Sequence, residues 1–490
     1  MNEWRRQHSI AIFFGFLGSL KELIFTFIAI FIFGQSSQIG GPFFYSVFFS
    51  IVLVSTLILG VIKWWTFKYQ LNEQELQIKQ GLIFKKNRYI RKERIQSIDI
   101  QAKLLQRLFN LVELRIETAG GGAEPEFRIV ALKKEEARFI KEQLLINDKE
   151  DEEFEMIHEE ESFTDEMFEE ENNDHSFHWA LSKKRLIIAA LTSSGIGIVA
   201  TFIAAIVSQA QQFIPDTFYE YFFGWIMHSS IIYIGFIVLF ILLIAWFISI
   251  GNTILKYGMF RIETKGDEVH ISRGVLERRQ LTLSANRITA VRIVQNLFRQ
   301  PFGYAAVYVE SAGGGSAEED LSTILIPLCK KKEVNDIIQH IIPSFVVERE
   351  YEKLPRKSLR RYMIKLLLPS LILAAIVTYL LPYGWLSFIL PFFAILLGIM
   401  QYYDAGIGIS KQLLLIKSRK ISLSEVIIPR NRIQSMSSSQ SILQRFDDLH
   451  TIHVAILSSI SGKNFSLRHI SGGQREKGFH WYSYESNNKK

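Results

Sequence analysis

The chain has 490 residues, enough for several domains, and 48% of them are hydrophobic, including 38 phenylalanines. This composition is unusual for a soluble protein and indicates insertion into a membrane. The single cysteine, Cys329, excludes an intramolecular disulfide framework and a four-cysteine zinc site. Because Cys329 follows an apolar run, we expect it in a core or at the edge of a helix and not as a nucleophile.

The net charge of +7 is unevenly distributed along the chain. Residues 148–174 contain 15 acidic residues and one lysine, so the rest of the chain carries a net charge of +21. Basic residues close to apolar spans indicate attraction to anionic lipid headgroups, and we predict no nucleic-acid partner. The acidic segment has the composition of a disordered linker; the alternative is a segment that folds onto the basic faces and competes with lipid.

Apolar segments predict six membrane spans arranged as three helical hairpins. Residues 4–9 combine basic and aromatic side chains, as expected at a membrane interface, and precede the first apolar run. The first span begins near the charged pair Lys21 and Glu22, which can reach water at the membrane rim, and extends into the region of residue 39. The other predicted spans are residues 43–65, 186–207, 222–250, 363–381 and 385–400, near the roughly 20 residues that a crossing helix needs.

The lysine and arginine distribution predicts the orientation of these hairpins. The connections inside them, residues 34–42, 208–221 and 382–384, contain neither residue type. Basic residues concentrate on the cytoplasmic side of membrane proteins. We therefore expect a multi-pass protein of the cell membrane, with both termini and all three long polar segments in the cytoplasm.

An internal repeat organises the polar segments. Moving the sequence by 193 residues without gaps places Arg287-Ile288-Thr289 on Arg94-Ile95-Gln96. A third copy contains Arg432, but Ala455 replaces the repeated glutamate and no glycine triplet follows. We interpret the repeated residues as the framework of one module used three times. They are Arg94, Glu117, Gly120, Gly121, Gly122, Arg287, Glu310, Gly313, Gly314, Gly315 and Arg432.

Short alternating apolar runs bounded by glycine predict that each module is a small β-barrel or sandwich. A closing helix is predicted at residues 133–146 and 330–342. The expected fold is thus six membrane spans in α-helical hairpins plus three cytoplasmic β modules. The predicted division is residues 1–68 (first hairpin), 69–147 (module 1), 148–174 (acidic linker), 175–256 (second hairpin), 257–345 (module 2), 346–402 (third hairpin) and 403–490 (divergent module 3 and tail).

The third module departs from the other two. Arg419 occupies the position of Gly81 and Gly274, and Pro429 replaces Arg91 and Ser284, so we expect its first β-hairpin to turn differently. Each module is expected to carry a C-terminal helix, but that of the third is atypical, because no amphipathic helix of comparable length is predicted after residues 465–469. The aromatic tail at residues 480–482 is expected either to cap the module or to bind a partner.

Three sequence motifs resemble those of the bacterial pleckstrin-homology-like (PH-like) domain family of membrane proteins. They are R-I-Q-S-I at residues 94–98, L-L-Q-R-L-F at 104–109 and L-R-I-E-T-A-G-G at 114–121. Three such units in one chain are similar to the YdbT-like members of that family from Gram-positive bacteria. The resemblance implies a seven-stranded bent barrel capped by a helix on the cytoplasmic face. It implies no established catalytic residues, and phosphoinositide binding does not follow from the fold alone.

No pattern for catalysis, a metal or a cofactor stands out. The glycine triplets at 120–122 and 313–315 lack the Gly-Lys-Ser/Thr of a phosphate loop and lie among acidic residues, so they are interpreted as strand connections. His450 and His453 are three residues apart on a predicted strand and therefore point to opposite faces. We therefore predict that the protein is not an enzyme and holds no cofactor.

Basic runs on the first β-hairpins are the candidate lipid- or partner-facing residues. Near an anionic leaflet each is worth on the order of 1 kcal/mol, although the same pattern also fits a solvated strand face. Arg94, Arg287 and Arg432 either support the barrel, for instance by pairing with Glu117 or Glu310, or face lipid or peptide. The seven candidate residues are Lys85, Lys86, Arg88, Arg91, Lys92, Arg278 and Arg279.

The sequence therefore predicts a non-enzymatic integral membrane scaffold. Its modules are expected to bind anionic lipid, one another or a partner membrane protein, and the architecture extends this to envelope integrity or resistance to membrane-active peptides. The alternative function is a six-span transporter or channel component. Few ionisable residues occupy the central parts of the predicted spans, which disfavours that alternative.

Overall fold

The structure is a computed structural model that describes residues 3–20, 42–72, 75–82, 84–118, 127–145, 177–193, 195, 201, 231–311, 323–380, 384–458 and 462–483. Within these ranges, four helices are long and apolar enough to cross a membrane. The first and third predicted spans lie mostly outside the described residues, so four of the six predicted spans have a counterpart in the structure. The four segments are Phe49–Thr66, Gly235–Tyr257, Lys357–Leu380 and Gly384–Asp404.

The hairpin helices alternate with three β units in the order that the repeat predicts. Two shorter helices, Ala11–Leu20 and Lys183–Leu191, stand at the start of the first and second hairpins. The long hairpin helices extend over Pro42–Thr66, Ile231–Tyr257, Lys357–Leu380 and Ile389–Asp404.

Each unit has six strands after its hairpin and a closing helix that we call the cover helix. In unit 1 these are β1 (Lys68–Leu71), β2 (Glu75–Gln80), β3 (Lys86–Arg91), β4 (Ile95–Ala102), β5 (Leu111–Thr118), β6 (Phe127–Lys133) and the cover helix Lys134–Leu145. In unit 2, after β7 (His178–Ala180), they are β8 (Arg261–Lys265), β9 (Glu268–Arg273), β10 (Arg278–Ser284), β11 (Ile288–Gln295), β12 (Tyr304–Ser311), β13 (Thr323–Lys330) and the cover helix Val334–Ile341. In unit 3, after β14 (Glu352–Lys353), they are β15 (Gly406–Ser410), β16 (Leu413–Arg419), β17 (Leu423–Pro429), β18 (Ile433–Ser439), β19 (Leu449–Ile456), β20 (Lys463–Ser471) and the cover helix Gly472–Tyr482.

Units 2 and 3 each have a seventh strand, which comes before the hairpin in the sequence and pairs with the first strand after it. β7 pairs with β8, and β14 pairs with β15. In unit 1 the corresponding contact is a single bridge between Arg5 and Tyr69. Each hairpin is therefore inserted after the first strand of its unit, and the segments that the sequence assigns wholly to hairpins also contain that strand. These strands are too short to show an alternating pattern, which explains why the sequence does not reveal them.

The units are joined edge to edge by strand pairing. β4 of unit 1 pairs antiparallel with β10 of unit 2, and β11 of unit 2 pairs antiparallel with β17 of unit 3. Each joint creates a seven-stranded sheet shared by two units. The core reflects this continuity, because Leu415 and Ile427 of unit 3 belong to the same buried cluster as Val291 of unit 2.

The third unit ends in a helix that is atypical, as expected. A helix of 11 residues, Gly472–Tyr482, follows the last strand, and it lacks the apolar stripe of the other two cover helices. The hydroxyl of Ser471 accepts from the backbone N–H of Gln474 and caps its first turn. Phe479, Trp481 and Tyr482 then pack against the core, so the tail does cap the module.

The first β-hairpin of unit 3 turns differently, as predicted. In units 1 and 2 the turn begins with a glycine of positive φ, 97° at Gly81 and 101° at Gly274. In unit 3 the ladder continues until Arg419 faces Leu423, so a shorter turn suffices and glycine is not needed.

Cys329 has the core position that the sequence predicts. It lies on β13, is fully buried and carries a free thiol. Burial raises the pKa of this thiol to about 12, so it stays protonated and unreactive at neutral pH.

Candidate membrane-facing surface

In every unit, the tip of the first β-hairpin lies next to the C-terminal end of the long hairpin helix that precedes the unit. In unit 1, Lys68, two residues after the helix ends, pairs with Lys79, so the turn that follows β2 is close to that helix end. In unit 2 the contact is direct, because the amide of Val275 donates to the carbonyl of Leu255 over 3.0 Å. In unit 3, Nε2 of Gln401 donates to the carbonyl of Lys420 over 2.8 Å.

A second connection, between the fourth and fifth main strands, reaches the other helix of each hairpin. Rings of Phe109 and Phe14 lie 6.3 Å apart in unit 1. In unit 2, Nε of Arg299 donates to the hydroxyl of Thr192 over 3.1 Å. In unit 3, Nε of Arg361 donates to Asp447 over 2.7 Å. Both connections of each unit therefore lie beside the helices of its hairpin.

These connections expose large apolar side chains in all three units. Phe84 is 82% exposed and Phe446 is 78% exposed. Soluble surfaces seldom concentrate such residues, and their position beside the helix ends makes them candidates for contact with the membrane interface. We call the set the membrane-facing surface: Leu82, Phe84, Leu104, Leu108, Phe109, Leu276, Leu297, Phe298, Phe302, Ile421, Ile442, Leu443 and Phe446.

The structure separates the basic residues of unit 1 along β3. Lys85 and Lys86 are exposed beside the membrane-facing surface. Arg88 is at mid-strand, and Arg91 and Lys92 are at the opposite end. At about 3.3 Å per residue, six residues of strand span roughly 20 Å, more than a Debye length at physiological salt. Only the first pair therefore lies next to the membrane-facing surface, and Arg91 and Lys92 are more than a Debye length from it.

The two candidate arginines of unit 2 are at the joint with unit 1. Arg279 forms an ion pair of 2.6 Å with Asp99 of β4, and both side chains are largely buried. Arg278 lies opposite Ala102 of β4 in the same ladder. Arg279 thus stabilises the joint and is not displayed on an open surface.

The repeated arginines connect one unit to the next. Each ends a short 3₁₀ turn between the third and fourth main strands. Nη2 of Arg287 in unit 2 donates to the carbonyl of Glu93 in unit 1 over 3.1 Å. Arg432 in unit 3 donates in the same way to the carbonyl of Asn286 in unit 2. Neither arginine makes its described contact with the repeated glutamates.

Arg94, the counterpart in unit 1, lies in an open depression of about 380 Å³. Glu75, Tyr89 and Arg91 line the same depression. Within the described part of the chain, Arg94 makes no hydrogen bond or ion pair. This depression is at the end of unit 1 opposite the tip of its first β-hairpin.

The structure describes only some of the repeated glutamates and glycines. Glu310 is completely buried, and its carboxylate is 2.6 Å from Nζ of Lys463 in unit 3. Glu117 is the penultimate residue of β5, and the structure describes its backbone alone. The glycine triplets at 120–122 and 313–315 and the acidic segment at 148–174 lie outside the described residues.

A buried carboxylate also holds the joint between units 2 and 3. Glu425 of β17 lies 2.5 Å from Nζ of Lys331 and 3.4 Å from Arg349. Burial opposes ionisation of Glu425, but Lys331, Arg349 and Lys417 outweigh it and lower the pKa of its carboxyl. The carboxylate is therefore ionised at neutral pH and stabilises the joint.

His270 is a partly buried histidine at the joint between units 1 and 2. Its ring is 2.9 Å from the hydroxyl of Thr282, 3.5 Å from Nζ of Lys141 and 3.3 Å from the carboxylate of Glu268. Burial, followed by the positive charges of Lys141 and Lys265, lowers the pKa of His270 to about 3. The ring is thus neutral in the folded protein at neutral pH.

Acidification should therefore weaken the fold through His270. The folded pKa is below the unfolded value of about 6.5, so this stabilisation is complete above pH 6.5 and is lost as pH falls toward 3. Between pH 7 and 5 the expected loss is about 2 kcal/mol. Thermal melts in detergent should show a smaller drop for His270→Gln than for the unmodified protein. Equal drops would contradict this role.

Comparison with known proteins identifies the family. A family model described as a bacterial PH domain matches residues 15–147, 198–344 and 366–484. The chain belongs to the bacterial PH domain family. It is also 32% identical over 494 residues to the UPF0699 transmembrane protein YdbT of Bacillus subtilis strain 168, covering 99% of each chain. The resemblance inferred from the sequence motifs is confirmed, and each match to the family model combines hairpin sequence with the β unit that follows.

The sequence did not reveal the exposed apolar residues of the membrane-facing surface. Leu104, Leu297 and Ile442 occupy equivalent positions of the repeat and are not among the predicted site residues, whereas the structure exposes all three. The available signal was a bulky apolar pair followed by a basic residue after a strand. Only the position of these connections at the helix ends distinguishes membrane contact from core packing.

Proposed function

We propose that this protein is a non-enzymatic membrane scaffold whose three units lie against the cytoplasmic leaflet and contact anionic headgroups. The main support for this proposal is the membrane-facing surface, which recurs in all three units beside the ends of the hairpin helices. Exposed residues such as Phe84 and Phe446 supply apolar contact. Lys85 and Lys86 supply charge beside them.

Energetics support this placement. Moving a large apolar side chain fully out of water gains about 1.5–3 kcal/mol, and the interface provides part of that. A lysine near an anionic surface adds about 1 kcal/mol. Because the hairpins already hold the units at the membrane, these small terms have only to orient each unit and not to recruit it.

Charge distribution supports a cytoplasmic location. The hairpin connections at 34–42, 208–221 and 382–384 contain no lysine or arginine. The positive-inside rule then places the basic β units in the cytoplasm, next to the leaflet that carries anionic lipid.

A fluorescence experiment on the full chain tests the lipid contact. Phe84→Cys and Phe446→Cys, each labelled with an environment-sensitive dye in nanodiscs, should be quenched by nitroxide-bearing lipid. Glu93→Cys, at the opposite end of unit 1, is the matched control and should not be quenched. Native Cys329 is buried with a pKa of about 12, so the unmodified protein serves as the unlabelled blank.

Lipid charge is tested with the same probe. Lys85→Gln with Lys86→Gln should reduce the ratio of docked to undocked tip by roughly 30-fold in phosphatidylglycerol nanodiscs, since two charges are worth about 2 kcal/mol. Arg91→Gln with Lys92→Gln removes the same charge at the distant end and should leave quenching unchanged. Quenching that ignores lipid charge would eliminate headgroup binding, and unquenched probes at both sites would favour a partner membrane protein on this surface.

A further inference from the structure

The two joints inside the chain use one repeated mode of pairing. In each, the fourth main strand of one unit pairs with the third main strand of the next. Ile98 faces Thr282 in the first joint, and Val291 faces Ile427 in the second. These pairs occupy equivalent positions of the repeat, so the register is the same in both joints.

The repeated arginines reinforce that register at both joints. Arg287 donates to the carbonyl of Glu93, and Arg432 donates to the carbonyl of Asn286. In each case the acceptor directly precedes the arginine of the earlier unit. The joint is therefore a modular contact that has been used twice and not an accident of one pair of sequences.

At the two ends of the array, one third main strand and one fourth main strand lack a neighbouring strand on their outer side, within the described part of the chain. β3 is the last strand of its sheet, and β18 is the last strand of its own, within the described part of the chain. Burial shows the consequence, because Tyr89 on β3 is 58% exposed whereas its equivalents Thr282 and Ile427 are 4% and 1% exposed.

We propose that β18 of one copy pairs with β3 of a second copy and joins the chains head to tail. The register of the internal joints places Met436 opposite Tyr89 and Ser437 opposite Arg88. Arg94 of the second copy, which lies in the open depression, then donates to the carbonyl of Asn431 in the first copy. Continuity with the two internal joints identifies another copy of this chain as the occupant.

The chemistry of the two edges favours this head-to-tail contact over a symmetric one. β3 carries Lys86, Arg88 and Arg91, so two β3 edges repel each other. β18 is rich in serine and contains no charged residue or proline. Proteins commonly place charged residues or proline on an edge strand to prevent pairing, so this edge is open to a partner strand. A contact between different surfaces of identical chains propagates into a ring or a filament.

The membrane brings the two edges together at the same height. Both β3 and β18 extend between the membrane-facing end and the opposite end of their units. Copies anchored by their hairpins in one bilayer thus present these edges at matching levels. Self-assembly would give the proposed scaffold a specific partner, a second copy of the chain. It rests on the proposed function only in that the membrane holds the two edges at the same height.

Cross-linking of two single-site variants tests the contact. A chain with Ser437→Cys and a differently tagged chain with Arg88→Cys, co-expressed and oxidised in native membranes, should form the mixed dimer and no dimer of either chain with itself. Replacing Arg88→Cys by Tyr89→Cys moves the thiol to the other face of β3 and should reduce the product at least tenfold. Dimers of like variants, or monomers alone, would overturn the proposal.

A charge swap provides a second readout in detergent, where no anionic lipid is present. Ser437→Arg places a positive charge opposite Arg88 and should reduce the larger assemblies seen by sedimentation at least tenfold. Adding Arg88→Glu to the same chain should restore them. Absence of assemblies from the unmodified protein, or no rescue, counts against head-to-tail pairing. The Phe84 quenching result is independent of both, so failure of lipid contact and failure of self-assembly are distinguishable.

Discussion

Replacing Glu310 by methionine should lower the free energy of unfolding by about 3–5 kcal/mol. Glu310 is completely buried on β12, and its carboxylate pairs with Lys463 of unit 3 over 2.6 Å. Arg292 is 3.8 Å from the same oxygen. Removing the carboxylate leaves the ammonium of Lys463, which is only 19% exposed, without its counter-charge. Denaturant unfolding in detergent measures the change.

Adding Lys463→Met to Glu310→Met should recover most of that loss. Burying two paired charges costs desolvation that packed apolar side chains avoid, so the double variant is expected within about 1–2 kcal/mol of the unmodified protein. Arg292 is not stranded, because its guanidinium lies 5.0 Å from the ring centroid of Tyr308. The exposed pair of Lys477 and Glu352, at 2.6 Å, is the control. Glu352→Gln should change stability by less than about 1 kcal/mol. A Glu310→Met effect as small as that control would show that the buried pair is unimportant.

Substituting alanine for Gly274 should destabilise unit 2 by about 3 kcal/mol or more. Gly274 has φ of 101°, and an added Cβ would be 1.9 Å from the backbone oxygen of Glu277. Opening the turn to relieve this clash breaks the hydrogen bonds from Gly274 to Gly258 and from Val275 to Leu255. Those bonds fasten the tip to the end of the membrane helix, so the substitution also detaches part of the membrane-facing surface.

Gly473→Ala is the matched control for that substitution. Gly473 is in the cover helix of unit 3, and nothing lies within 4 Å of the position of an added Cβ. Alanine there should stabilise the helix by up to about 1 kcal/mol. Thermal unfolding in detergent, together with proteolysis at the tip of unit 2, measures both effects. If the two substitutions behaved alike, the tight turn at Gly274 would not be a requirement.

Sequence alone predicts most of the large-scale organisation. Apolar runs indicate the hairpins because a helix crossing a bilayer needs about 20 apolar residues whatever its neighbours are. The displacement of 193 residues aligns Arg94 with Arg287 and reveals the repeated unit. Its motifs also indicate the family, which the comparisons confirm. These signals are local or come from comparing the chain with itself.

Local pattern was less informative where strands or helices carry little periodicity. The two- and three-residue strands β14 and β7 show no alternation, so their sequence does not place them in the sheets. The helix Gly472–Tyr482 lacks an apolar stripe, although its aromatic end is anchored on the core. In both cases tertiary contacts, and not intrinsic propensity, determine the structure.

The sequence thus determined the three modules and the four spans that have a counterpart in the structure, whereas only the tertiary structure decided how the modules join. Alternation along β10 or β17 shows which face of a strand is buried but does not specify the strand beside it. That partner depends on backbone hydrogen bonds between residues far apart in the chain, such as Leu281 and Asp99. The repeated arginines likewise become clamps between units only because these edges meet.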